Sequence, residues 1–443
     1  MRPSPRLLKL LFLGLISAIL LGILRHTNLH ESVEHASLLW WLSGGLLLFV
    51  AIYDWSISKP TAQIKVEREL PAGLAVGTQN PIELTVTNQC PYSITIKLTE
   101  NVDHQVKLTG LPLSLTLSPN EKAKADYSLH PTRRGSMLFK GIDALVSTRL
   151  GLWLRKEHFL EPEDVRVFPN FTAVSNFELL TNGHMAGQMG IHLNQRRGEG
   201  LDFHQMREFR PGDSLRQVDW KATSRAMKPI SREFQDERDQ DIIFLLDNGR
   251  KMRAKDGELS HFDHCLNAFL LTAYVALKQG DAIGLKTFGG SERWIAPIKG
   301  KNNLNTLMHG IYDLHSSTAT SDFLNAAKDL LSRHSKRALI ILISNVDEQD
   351  NNDLLAAYTL LRRKHLVLFA CLRENSIDEI EEQPVFDFMQ ALRYSSAIDH
   401  QNKRDTTLKR LLAAGAIVID DKPATLHIAL VNEYLALKRS GKI

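Results

Sequence analysis

The spacing of apolar residues changes character three times along the chain. Residues 7–24 (LLKLLFLGLISAILLGIL) and 36–53 (ASLLWWLSGGLLLFVAIY) are almost unbroken apolar runs. Each holds about 18 residues and, at roughly 1.5 Å per residue, nearly crosses a hydrocarbon core. Lys9 interrupts the first run near its start, where its ammonium can snorkel to the interface. Trp40 and Trp41 at one end of the second run, with Tyr53 and Trp55 at the other, suit the two interfacial belts. A signal peptide is the rival for the first run. No small-residue cleavage site follows Leu24, however, and the second run comes too soon. The pattern predicts a transmembrane helical hairpin within residues 1–58.

From 61 to 170 the apolar positions alternate with polar ones in short runs. Ile64 and Val66, Ile82, Leu84 and Val86, Ile94, Ile96 and Leu98, Leu113, Leu115 and Leu117, and Ala125, Tyr127 and Leu129 all follow this rule. MLFKGIDALV and DVRVFPN come later, and Gly, Pro and Asn separate the runs. A period of two at close spacing predicts an antiparallel β-sandwich. No catalytic cluster is visible in it.

A third regime covers 235–443. IIFLL ending in Asp247, 338–344 (ALIILIS), 366–372 (LVLFACL) and 416–419 (AIVI) are continuously apolar, as strands buried on both faces should be. Residues 283–287 predict another strand. Helical patterns separate the strands: one face of Phe262, Cys265, Leu266, Phe269, Leu270, Ala273 and Ala276 capped by Ser260, then 302–314, 322–333, 351–363, 403–413 and 424–438. Alternating strand and helix predicts a doubly wound, Rossmann-like α/β domain with a parallel sheet. Ligands in such sheets bind at the carboxyl ends of strands, here Asp247 and residues 344–348. No glycine-rich phosphate loop follows any strand, and Gly289–Gly290 predicts only a turn.

Charge and cysteine usage refine this. The 54 basic and 50 acidic residues leave a net charge of +4, too small to point to nucleic acid. Lys221, Arg225, Lys228 and Arg232 form a basic stretch, but Asp236, Glu237 and Asp239 offset it. Cys90, Cys265 and Cys371 are far apart and fit buried thiols of a reducing compartment. Arg2, Arg6 and Lys9 precede the first apolar run, Lys59, Lys65 and Arg68 follow the second, and Arg25 is the only basic residue of either type between them. Both termini and the soluble domains are therefore expected on the cytoplasmic side.

Between the β and α/β regions, 171–234 reads as a linker followed by a dense polar stretch. Residues 196–225 are RRGEGLDFHQMREFRPGDSLRQVDWKATSR. Arg207, Arg210, Asp213, Arg216, Asp219, Trp220, Lys221 and Arg225 are its candidate functional set. Forked guanidinium donors and a large indole suit a protein interface. The same residues suit an internal salt-bridge network. An exposed Trp220 would favour the first reading, a packed one the second.

This stretch, followed by a strand ending LLDNGRKM, resembles the bacterial domain-of-unknown-function 58 family. HPTRRGSMLFKGIDALVSTRLGLW, VRVFPN and the paired apolar runs resemble it too. The resemblance spans nearly the whole chain. It implies a C-terminal domain similar to von Willebrand factor type A domains and a bacterial inner-membrane location. It also implies work with a MoxR-type AAA+ ATPase in the assembly or maturation of other proteins. Type A domains often carry a metal-ion-dependent adhesion site built on Asp-x-Ser-x-Ser, a loop Thr and a later Asp, whose oxygens suit a hard divalent cation. Here Asp247 matches, but Gly249 and Lys251 stand at the serine positions. Thr318 or Thr320 is available for the loop, and Asn345 replaces the later acid unless Asp347 swings in. No Mg²⁺ or other cofactor is therefore expected at this degenerate site, and the Lys251 ammonium is expected to stand in part for the cation beside Asp247.

The expected function is a membrane-anchored, non-enzymatic interaction or scaffold protein, with the lipid bilayer and the ATPase as partners and no small-molecule substrate. The alternative is a metal-assisted hydrolase. His261 and His264 share one helical face and His184, His192 and His204 lie upstream, but no third ligand has sensible spacing and no nucleophile motif is present.

Overall fold

The computed structural model describes residues 1–24, 30–57, 63–102, 106–170, 202–210, 213, 215–235, 240–346 and 351–443. The chain divides into two compact units, Met1–Val167 and Phe168–Ile443.

The first unit opens with helices α1 (Pro5–Leu24) and α2 (His30–Ile57). Pro5–Leu24 and His35–Ile57 are long and apolar enough to cross a membrane, which is compatible with a two-pass membrane protein. The Trp40 indole N–H ties the helices together by donating to Gly14 O (3.1 Å) and Ser17 Oγ (3.0 Å). Among the described residues, nine strands longer than two residues follow: β1 (Ile64–Glu69), β2 (Asn80–Asn88), β3 (Ile94–Val102), β4 (Val106–Thr109), β5 (Leu113–Leu117), β6 (Lys122–Pro131), β7 (Gly135–Ser147), β8 (Trp153–Phe159) and β9 (Glu163–Phe168). One sheet runs β1-β2-β6-β4; the other centres on β7, flanked by β8, β9 and β3, with β5 on β3. The alternating residues expected inside, such as Ile82, Leu84, Val86, Ile94, Ile96 and Leu98, are buried. A buried polar link joins the sheets: Glu100 of β3 accepts from Arg68 Nη1 of β1 and Tyr127 Oη of β6, both at 2.6 Å. Burial pushes the Glu100 carboxyl up, and these two donors oppose it.

The anchor bonds directly to the sandwich. Asp54, near the end of α2, is 2% exposed and accepts from Thr148 Oγ1 (2.6 Å), Leu150 N (3.0 Å) and Leu152 N (3.3 Å) in the β7–β8 turn. Ser4 binds the same turn through Gly151 O and Leu152 O. The boundary expected at residues 58–61 lies outside the described residues.

In the second unit, the signature stretch and the residues after it form a hairpin of β10 (Asp202–Glu208) and β11 (Ile230–Gln235), with helix α3 (Trp220–Ala226) between them. The α/β part then contains β12 (Asp241–Asp247), α4 (His261–Gln279), β13 (Ala282–Phe288), β14 (Trp294–Ile298), α5 (Leu304–Ile311), α6 (Phe323–Arg333), β15 (Leu339–Ser344), α7 (Asn351–Leu361), β16 (Leu366–Leu372), α8 (Asn375–Glu382), α9 (Phe388–Ala413), β17 (Ile417–Asp421) and α10 (Leu426–Arg439). Among the described residues the sheet order is β14-β13-β12-β15-β16-β17, parallel except for β14, which runs antiparallel at the edge.

Strand β12 explains the layering. Ile242, Phe244 and Leu246 pack with α4, α5 and α10 on one face; Ile243 and Leu245 pack with α6, α7 and α9 on the other. The chain leaves β12 for β13 on one side and returns to β15 on the other. That reversal places Asp247 at the switch point of the sheet. Helix α4 starts at the cap expected at Ser260, and Asp263 completes a capping box with it. Two differences from expectation have local causes. The antiparallel β14 is too short and polar-flanked to announce itself. Helix α9 begins fifteen residues before the expected 403, because its first half shows no core-facing stripe.

Candidate functional site

Two places in the second unit gather the expected functional residues. The first is the crevice at the end of β12. Asp247 is fully buried and its two oxygens are taken by protein donors. Ser321 Oγ donates at 2.5 Å, Ser344 Oγ at 2.6 Å and Gly249 N at 2.8 Å. Burial pushes the Asp247 carboxyl up; the two hydroxyls, the Gly249 amide and the Lys251 charge pull the other way. Gly249 and Gly289 leave room for the Ser321 hydroxyl. A Cβ on Gly249 would lie 2.2 Å from Ser321 Oγ, and one on Gly289 would lie 2.6 Å from it. Gly290 approaches the Ser317 hydroxyl as closely, 2.7 Å from an added Cβ. The glycine pair read as a plain turn is thus a close approach between two loops.

The loop hydroxyl on Asp247 is neither Thr318 nor Thr320, both exposed, but Ser321. Four Ser and Thr residues stand within 317–321, and spacing alone does not select among them. Ser344, the first residue of the strand end at 344–348, is the second hydroxyl donor, one residue before the expected Asn345. Asn345 turns away to donate to Glu374 Oε1 at 2.6 Å. Asp347 lies outside the described residues. His261 and His264 stand at the start of α4, where burial lowers both pKa values. Among the described residues no group of three or more His, Cys, Asp or Glu side chains is placed to hold a metal ion. His184 and His192 lie outside the described residues, as does the side chain of His204.

The second place is the β10–β11 hairpin. Arg207 grips Asp213 with both guanidinium nitrogens (2.7 and 2.8 Å), and Arg210 N donates to the same carboxylate at 2.9 Å. The Arg207 guanidinium, followed by that backbone N–H, holds the Asp213 carboxyl below its usual range. Asp219 caps α3, accepting from Lys221 N and Ala222 N, and takes Arg232 Nε at 2.8 Å from β11. Its carboxyl is lowered first by the Ala222 amide and then by Arg232. Two more bonds strap α3 to the hairpin: Asp219 N to Ile230 O, and Ile230 N to Thr223 Oγ1.

The signature residues therefore divide into two groups. Arg207, Asp213 and Asp219 form an internal frame. Trp220 is 71% exposed on top of it, with Lys221 and Arg225 exposed one helical turn apart. Leu215 and Met227, 73% and 89% exposed, extend the apolar surface and carried no sequence signal beyond their apolar type. Residues 196–201 and the Arg216 side chain lie outside the described set, as do Arg25, Lys59, Asp236, Glu237 and Asp239.

The family model described as "Protein of unknown function DUF58" matches residues 205–383. The match supports the DUF58 family. It begins in β10, includes the hairpin and ends at α8. No curated protein matches the chain. Among solved structures, native alpha-2-macroglobulin from Escherichia coli matches at 17% identity and TM-score 0.20, over 24% of this chain and 16% of that one. The chain thus spans under a fifth of that macroglobulin's length. A PapD-like domain of human CEP192 matches at 13% identity and TM-score 0.20, over 25% of this chain and 87% of that one. A FixG-related protein from Vibrio parahaemolyticus matches at 12% identity and TM-score 0.17, over 24% and 94%. Likeness of that degree carries no functional argument.

Proposed function

We propose that this is a membrane-anchored, non-enzymatic interaction protein of the bacterial inner membrane. Its Trp220 platform docks a MoxR-type AAA+ ATPase on the cytoplasmic side, in the assembly or maturation of other proteins. The carrying observation is the contrast between frame and surface. Charged residues that would make a salt-bridged linker are engaged internally, while a 71%-exposed indole stands on the helix that Asp219 caps. Exposed Trp flanked by Arg and Lys is the composition of an interface anchor.

The parallel sheet and the position of Asp247 support reading the α/β part as a von Willebrand factor type A-like domain with a degenerate adhesion site. Its carboxylate accepts from Ser321, Ser344 and Gly249. Affinity capture of the full chain from mild detergent tests the proposal. Wild type recovers the ATPase, and Trp220→Ala with Met227→Ser loses it at unchanged thermal stability. Equal recovery from both contradicts the proposal. Chelator-sensitive hydrolysis by the purified protein would instead favour the metal-assisted hydrolase.

A further inference from the structure

Helix α9 starts as a projection. Every residue from 382 to 396 is exposed, and the first buried side chain of the helix is Ala397. An isolated helical segment of that length is marginal in water, so its start awaits a packing partner. The projection is strongly apolar: Phe386, Phe388, Met389 and Leu392 are 84%, 79%, 57% and 51% exposed. A contiguous exposed patch of this kind marks an interaction site. It is also acidic. Between residues 374 and 392 the chain has no Lys or Arg, and Glu379, Glu382 and Asp387 are exposed. That charge opposes an anionic lipid surface and opposes pairing with the same projection of another copy.

The chain carries the complement of this surface. Around the exposed Trp220 and Met227 stand Lys221, Arg225 and Lys228, all exposed. Lys228 pairs with Glu208, while Lys221 and Arg225 form no ion pair among the described residues. Apolar and basic on one surface meets apolar and acidic on the other. Platform against platform and projection against projection both bring like charges together, so only the mixed contact is favoured. We propose that the start of α9 docks on the Trp220 platform of a second copy of this chain. Such a contact is heterologous, so it builds rings or open chains rather than a closed two-fold dimer. The inference rests on the functional reading only in taking the platform as a docking surface, and it makes the second copy and the ATPase competitors for it.

Sedimentation of the full chain in mild detergent at micromolar concentrations tests this. Wild type should associate in a concentration-dependent way. Lys221→Glu with Arg225→Glu, or Glu379→Lys with Glu382→Lys, should weaken association about tenfold, since each turns exposed attractions into repulsions. All four changes together should restore it. Phe386→Ser with Phe388→Ser should abolish it. A wild-type monomer throughout, a four-fold variant that stays dissociated, or unaffected association of the Phe variant overturns the inference. Cross-linking of the two surfaces within one chain overturns it as well. The functional reading has its own readout: it fails if ATPase capture survives Trp220→Ala, whatever the assembly state.

Discussion

Substituting Gly249→Ser would restore one serine of the adhesion-site pattern, and the structure opposes it. The backbone at 249 (φ −75°, ψ −172°) accepts any residue, so the obstacle is steric. The new Cβ would lie 2.2 Å from Ser321 Oγ, 3.0 Å from Ala319 O and 3.1 Å from Asp247 Oδ1. Ser321 must swing off Asp247, breaking a 2.5 Å hydrogen bond to a buried carboxylate. Losing such a bond costs about 1.5–3 kcal/mol. Residual overpacking against the Ala319 backbone adds about 1–3 kcal/mol, partly relieved by the same movement. We expect a net loss of about 2–4 kcal/mol, or a Tm lower by about 3–7 °C for a unit of this size. Thermal denaturation in mild detergent, with and without Mg²⁺, measures it. Removing the clashing oxygen with Ser321→Ala should recover part of the loss, and adding Lys251→Ser should confer no Mg²⁺ dependence. A Gly249→Ser protein at wild-type Tm, or one stabilised by Mg²⁺, refutes the reasoning.

Three further outcomes are expected. His365 is buried beside the His334 ring, and burial, then His334, lowers its pKa to about 4. An unfolded chain binds that proton near pH 6.5, so stability is complete above that pH and falls as pH drops toward 4, by at most about 3 kcal/mol; a His365→Gln variant with the same acid-limb steepness would count against this. Asp54→Ala leaves Leu150 N and Leu152 N without their acceptor and the Thr148 hydroxyl with only Trp153 O; unmet buried donors cost about 1–3 kcal/mol each, so limited proteolysis should cut near residue 150 faster, and an unchanged cleavage rate would show that the anchor is not held there. Asp219→Ala should expose residues 215–235 to protease at unchanged global Tm, whereas Asp219→Asn, which keeps an acceptor for the cap, should protect more of that segment; identical digestion of both variants would remove Asp219 from the frame.

What could be read in advance followed the strength of local periodicity. The apolar runs of α1, β12, β15 and β16 have one structural outcome each, and the structure places them within a residue or two of expectation. The start of α9 does not, because its apolar residues face no core, so helical periodicity and burial part company. The Asp247 donors were hidden for a different reason. A hydroxyl run such as 317–321 offers several equivalent candidates, and only the close approach permitted by Gly249 and Gly289 selects Ser321. In the signature stretch, residue type predicted an interface and a salt-bridge network equally. The structure shows the network: Asp219 and Thr223 bond to the hairpin, while Trp220 and Lys221 are exposed on the same short helix.

Hydrogen exchange of the full chain, with and without the AAA+ ATPase, tests most directly which surface carries the function. The account expects peptides covering 215–228 to gain protection on binding while those covering 247–252 and 317–321 stay unchanged. Protection confined to the Asp247 crevice, with 215–228 unaffected, would contradict it.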